Sequence, residues 1–306
     1  MKFGVREICD VVFKTKAATK IGNTTFEKGQ PVLYIDSAKT STIEGAATTV
    51  YAQGGRGNSR LIAWEGEKTL TFTVEDALLS PIGFSILSGA GLFKGTNETV
   101  YVHTTANAYV DANGKVDLKD VLGTNETIST TAPVFVMETE EDGSLKGAPL
   151  SGFTAAADGK SLENTDAKSK NVFVDFYVEK STANVSELQI DAENFAGSYY
   201  VEASTLFRRE SDGVDMPAEI TLPNVKIQSN FTFSMASSGD PSTFTFTMDA
   251  FPGYTIFDPS KKVLCVMQVV EDAVAGSEVR NSVMSNHDND TAIEVGTDSN
   301  DKTIPE

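Results

Sequence analysis

NFTFSMASSGDPSTFTFTM, from Asn230 to Met248, alternates in two runs about a turn. Phe231, Phe233 and Met235 fall on one side of an extended chain, and Asn230, Thr232 and Ser234 on the other. Beyond SSGDPS the alternation resumes, with Phe244, Phe246 and Met248 set against Thr243, Thr245 and Thr247. Side chains point to opposite faces along a strand, so the pattern predicts a long β-hairpin with one apolar and one hydroxyl face. The apolar set (Phe231, Phe233, Met235, Phe244, Phe246 and Met248) is the candidate self-assembly surface. Nothing in this stretch carries reactive chemistry.

A second stretch, TLTFTVEDALLSPIGFSILSGAG from Thr69 to Gly91, runs a strand into a helix. Ser80 suits the N-cap and Pro81 the first helical position, where a missing N–H costs nothing. Leu79 and Phe84 are spaced for a hydrophobic staple. Gly89 suits a left-handed stop. Just upstream, Trp64 is the sole tryptophan of the chain. It reads as a core residue or, since Trp is favoured at contacts, as an interface anchor.

The chain has 306 residues, is 40% hydrophobic and 22% charged, and is long enough for one large or two ordinary domains. No apolar run reaches the roughly 20 residues a spanning helix requires. MKFGVREICDVVFK is interrupted by Arg6, Glu7 and Asp10 and lacks the shape of a signal peptide, so the expected site of synthesis is a cytoplasm. A net charge of −18, from 25 basic against 43 acidic residues, argues against nucleic-acid binding, which relies on Lys and Arg at phosphates.

Further strands are expected over EICDVVFK, PVLYID, RLIAWEG, NVFVDFYVEK, GSYYVEASTLFRR, AEITLP and KKVLCVMQVV. Residues 101–170 are dense in turns and poor in strong alternation, so they read as an inserted β-rich region. The expected organisation is a core in two parts, 1–100 and 171–284, with that insertion between them. An acidic, mobile tail over 285–306 completes it.

No motif carries catalysis. DANGKVD, Asp111 to Asp117, has an Asn-Gly turn and lacks the late Glu of a calcium loop. Gly54-Gly55-Arg56-Gly57-Asn58 precedes a strand rather than a helix and reads as a loop, not a phosphate cradle. Cys9, Cys265, His103 and His287 lie apart, without metal-ligand spacing. The cysteines read as buried free thiols, a disulfide being the lesser reading. The chain is therefore read as a non-enzyme without metal or cofactor.

GGRGNSRLIAWEGEKTLTFTVEDALLSPIGFSILSGAG, followed much later by LPNVKIQSNFTFSMASSGDPSTFTFTMDAFPG, resembles the major tail tube proteins of tailed bacteriophages. A W-E-G turn, a T-x-T-x-T strand, a D-A-L-L helix start and a late F-rich segment with a G-D-P-S tip carry the resemblance. It covers about 100 residues at each end and leaves out 101–170. It implies a mainly β sandwich or barrel subunit with one flanking α-helix, whose long hairpins form a barrel shared around a ring. It further implies stacked hexameric rings in a virion tail, a conduit for DNA that binds the genome nowhere specifically. The implied partners are other copies, then tail sheath, tape-measure and terminator or baseplate proteins, with no membrane.

Two other classes remain open from the residues. One is a virion decoration or adhesin-type binding module, with the 101–170 region as its recognition surface. The other is a β-sandwich hydrolase acting on polysaccharide, for which a carboxylate pair in a groove would be required.

Overall fold

The computed structural model describes residues 2–5, 7–93, 98–181, 183–232, 235, 237–238 and 242–271. The expected tail over 285–306, Phe233 and His287 lie outside these. The principal elements, in chain order, begin with β1 (Asp10–Thr15), β2 (Pro31–Ile35), β3 (Ala38–Gly54), β4 (Ser59–Asp76) and α1 (Pro81–Ser88). Next come β5 (Thr99–Val110), β6 (Lys115–Asp117), β7 (Phe135–Glu138), β8 (Ser161–Glu163) and β9 (Lys170–Ser181). The last are β10 (Ser198–Arg209), β11 (Asp215–Ile227), β12 (Phe244–Ala250) and β13 (Val266–Val269). The protein is mainly β, at 54% strand against 3% helix, with α1 as the helix among the described residues.

The chain divides into two compact units, 1–92 with 188–306, and 93–187. In the first, a nearly closed sheet runs in the order β2-β1-β10-β11-β12-β4-β3. Curling such a sheet removes most of its free edges. The alternation expected for these strands is what fills it. Val11 and Phe13, Phe72 and Val74, Val201 and Ala203, Leu222, Val225, Phe246 and Met248 all point inward and are buried. Phe13 meets Tyr199 edge-on and Phe246 at a tilt, both with ring centroids 6.0 Å apart. Each fully buried Phe contributes roughly 1.5–3 kcal/mol over leaving it in water.

α1 closes one side of this core through Ile86 and Leu87. Its signals act as the sequence implies. The Ser80 hydroxyl accepts from the Gly83 N–H at 2.9 Å, satisfying an otherwise orphaned donor. Gly89 adopts φ 74° and its N–H reaches the Ser85 carbonyl. A Cβ here would lie 2.5 Å from the Phe195 backbone, so both the conformation and the space require glycine.

The second unit is a seven-stranded sheet in which β5 and β9 pair along their whole length, from Thr99↔Ser181 to Val110↔Lys170. Its own core holds Val110, Val116, Leu118, Ile128, Val136, Leu162, Val172, Val174, Phe176 and Val178. The Asp111–Asp117 segment is a tight turn joining β5 to β6. The Asp111 carboxylate accepts from the N–H groups of Asn113 and Lys115, each at 2.8 Å. These bonds hold its pKa below the usual range, the Lys115 N–H foremost.

Three features differ from the sequence reading. NVFVDFYVEK, expected in the returning core, is β9 and belongs to the second unit. Alternation alone does not choose between sheets. RLIAWEG and TLTFTV form one strand, β4, with a bulge rather than a break. Finally, β3 was not anticipated, because AKTSTIEGAATTVYAQG has few large apolar residues to mark a face.

Candidate assembly surface

β3 and β4 form the longest hairpin among the described residues, closed by the turn at Gly54–Ser59. Positive φ at Gly55 (78°), Gly57 (95°) and Asn58 (49°) makes the tight reversal. The base of the hairpin is anchored. Phe72 and Val74 enter the core, and the buried Asp76 carboxylate accepts from the Ser37 hydroxyl and from the Leu78 N–H.

Beyond the base, the ribbon leaves the body. Every residue from Ser59 to Thr69 is exposed, and so is every residue from Glu44 to Tyr51. Eleven residues of strand reach about 35 Å. A bulge sits midway, where Thr48 faces the extra residues at Gly66–Glu67 and its hydroxyl accepts from the Glu67 N–H at 2.9 Å. A Cβ on Gly66 would come 2.5 Å from that hydroxyl, so the W-E-G glycine serves the bulge.

The distal ribbon carries large apolar residues on both faces. Val50 pairs with Trp64, and Ala52 with Ile62, so these four share a face. Tyr51 and Arg60 lie on the other, the guanidinium 4.1 Å from the ring centroid. Leu61 is 65%, Val50 63%, Ile62 54% and Trp64 52% exposed. A two-stranded ribbon is marginal alone in water, and apolar side chains on both faces leave it without a core of its own. Its charges balance as well. Glu44, Glu65 and Glu67 are matched in number by Arg56, Arg60 and Lys68, a neutral segment in a chain of net charge −18.

The expected Asn230–Met248 hairpin is built differently. β12 pairs with β4, through Phe246↔Val74 and Met248↔Phe72, and with β11, through Ile227↔Met248 and Val225↔Ala250. Its second arm is therefore Val225–Ile227, not Phe231–Met235. Phe246 and Met248 are core residues, and Phe244 is half-buried. Phe231 leaves the sheet and meets Phe84 of α1 edge-on at 5.1 Å, while Met235 is 89% exposed. The reason is that identical alternation suits any neighbouring strand, and burial beside Phe13 and Phe72 decides between them.

The hydroxyl face foreseen for the hairpin does exist, on β3, β4 and β12. Thr42, Thr73 and Thr247 lie in one row, and Thr40, Glu75 and Thr245 in the next. Thr243 and Thr40 donate to Glu75, the latter at 3.1 Å, and these bonds hold its carboxyl below the usual range. Thr71 donates to Asp249 at 3.3 Å. The face is thus a lattice of hydroxyls and carboxylates.

Among the described residues no cluster of His, Cys, Asp and Glu is arranged to hold a metal. Cys9 and Cys265 are free thiols, both pushed up in pKa by burial. Among the described residues no helix is long and apolar enough to cross a membrane.

A protein-family profile, the YomU/Tube protein family, matches residues 9–258. The chain belongs to the YomU/Tube protein family. The match agrees with the tail-tube resemblance and extends it across the inserted region. No curated protein matches the chain. A tube-family member is a structural tail component that associates with its own copies.

Proposed function

We propose that copies of this chain form hexameric rings that stack into the tail tube, the conduit through which the genome is ejected. The observation that carries the reading is the β3–β4 ribbon, exposed on both faces, charge-balanced and bearing Trp64. Such a ribbon gains its missing core only against another copy. Phe231, beside α1, and the exposed Met235 provide further apolar contact. The hexameric number follows the tail-tube resemblance.

The hydroxyl and carboxylate face of β3, β4 and β12 lines the channel in this reading. Phosphate needs cations to release its counterions, and Thr, Glu and Asp supply none. Thr hydroxyls exchange their bonds readily with water, so DNA meets no deep well along the wall.

Negative-stain microscopy of the purified protein tests the assembly. Rings or tubes are expected, and a monodisperse monomer at high concentration would refute it. Trp64→Ser should remove the assemblies and leave a folded monomer.

A further inference from the structure

The second unit carries an aromatic face of its own. On β5 the outward residues are Tyr101, His103, Thr105, Asn107 and Tyr109, all exposed. On β9, Tyr177 lies opposite His103, Asp175 opposite Thr105, and Phe173 opposite Asn107. β7 adds Phe135 beside Asp175. From Tyr101 to Tyr109 the strip runs about 27 Å.

The strip is neither a core nor a hot spot. An apolar protein contact gathers its rings at a centre with a polar rim. Here each row of rings is interleaved with amide, hydroxyl or carboxylate groups. Several of the rings are held in place. His103 Nε2 lies 2.9 Å from Asp175 Oδ1 and its ring meets Tyr177 at 5.4 Å, while Thr131 Oγ1 lies 3.1 Å from the Tyr101 hydroxyl. No outward position of β5, β7 or β9 between these rings is Lys or Arg. The unit as a whole has 8 Lys against 15 Asp and Glu, a net charge of −7 over 93–187. A polyanion is therefore repelled.

We propose that this face binds a neutral polysaccharide. A pyranose ring offers an apolar C–H face that lies on an aromatic ring, and a rim of hydroxyls that bonds to Asn, Thr and Asp. Tyr177 and Phe173, four residues apart on β9 and about 13 Å apart, stack separated sugars of one extended chain. Asp175 and Thr105 lie between them, with Asn107 opposite Phe173, and these three take the hydroxyls. Rings fixed before binding lose little entropy on contact.

Affinity electrophoresis of the full chain in gels containing a β-glucan, a galactomannan or a soluble chitin derivative tests this, with heparin as the polyanion control. Retardation is expected with at least one neutral polymer and none with heparin. The Tyr177→Ala/Phe173→Ala variant should weaken that retardation at least tenfold, and Asn107→Ala should do so by a smaller factor. Circular dichroism and microscopy on the same samples report folding and assembly separately. Absence of retardation by every neutral polymer overturns the proposal, as does unchanged retardation in the double variant. Loss of tubes in the double variant would also overturn it, because the face would then be a contact between copies.

Discussion

Trp64 and Phe246 are both aromatic residues on the same sheet, yet one stands in solvent and the other lies against Phe13. Substitution should therefore separate assembly from folding. Trp64→Ser removes an exposed ring and should leave the melting temperature within a few degrees of wild type while abolishing tubes. Phe246→Asp places an unpaired carboxylate in the core and should lower stability by more than about 4 kcal/mol, enough to unfold the first unit. A Phe246→Asp protein that melts normally would contradict the buried position. Gly114 is the equivalent test of the second unit. It sits at φ 85°, and a Cβ there would lie 1.9 Å from the Asn164 carbonyl oxygen. Gly114→Ala should cost about 2 kcal/mol or more, seen as a lower melting temperature for that unit.

The β3–β4 ribbon should betray its function by what protects it. Arg56 lies in an exposed turn and Arg60 just after it, so trypsin should cut the free subunit there early. In assembled tubes those cuts should slow at least tenfold, read by mass spectrometry of timed digests. Equal rates in the two states would place the ribbon outside the contacts. The second unit makes an acid prediction. Asp111, Asp117, Glu126, Glu138, Asp142 and Asp158 all titrate below their usual values, Asp158 down to about 2 through bonds from Lys160 N–H and the Ser161 hydroxyl. A carboxylate depressed on folding stabilises above its unfolded pKa, near 4. That contribution is lost as pH falls through the folded value. The melting temperature of the second unit should thus be flat above about pH 5 and fall steadily towards pH 2. A rise over that window would reverse the sign of the argument.

At the scale of the whole molecule the question is how a conduit avoids holding its cargo. The net charge of −18 and the Thr, Glu and Asp face of β3, β4 and β12 point the same way. Wild-type tubes should show no micromolar affinity for duplex DNA in a low-salt anisotropy titration. Thr73→Lys/Thr247→Lys puts paired cations in one row of that face. These tubes should assemble and retain DNA in a salt-dependent way. If the double variant binds no better than wild type, that face does not line the channel.

Local chemistry determined much of this protein from sequence alone. Ser80, Pro81 and Gly89 fixed both ends of α1, because caps depend on the few residues that make them. The alternation in FTFTM put Phe246 and Met248 on one face, but that face, expected to be the assembly surface, is core. The ordered motifs also resembled a tube protein, and the family match agrees. Pairing was a different matter. The sequence reading paired FTFTM with the run just before it, whereas β12 pairs with Val225–Ile227, and burial beside Phe13 and Phe72 is the reason. β9 read as core and joined the other unit for the same reason. The ribbon was the least legible element. β3 is mostly small and hydroxyl residues, because neither face of its distal half is buried within the subunit, and a periodic signal exists only where one face is buried. Tertiary structure alone brought Val50 opposite Trp64 and left them in solvent.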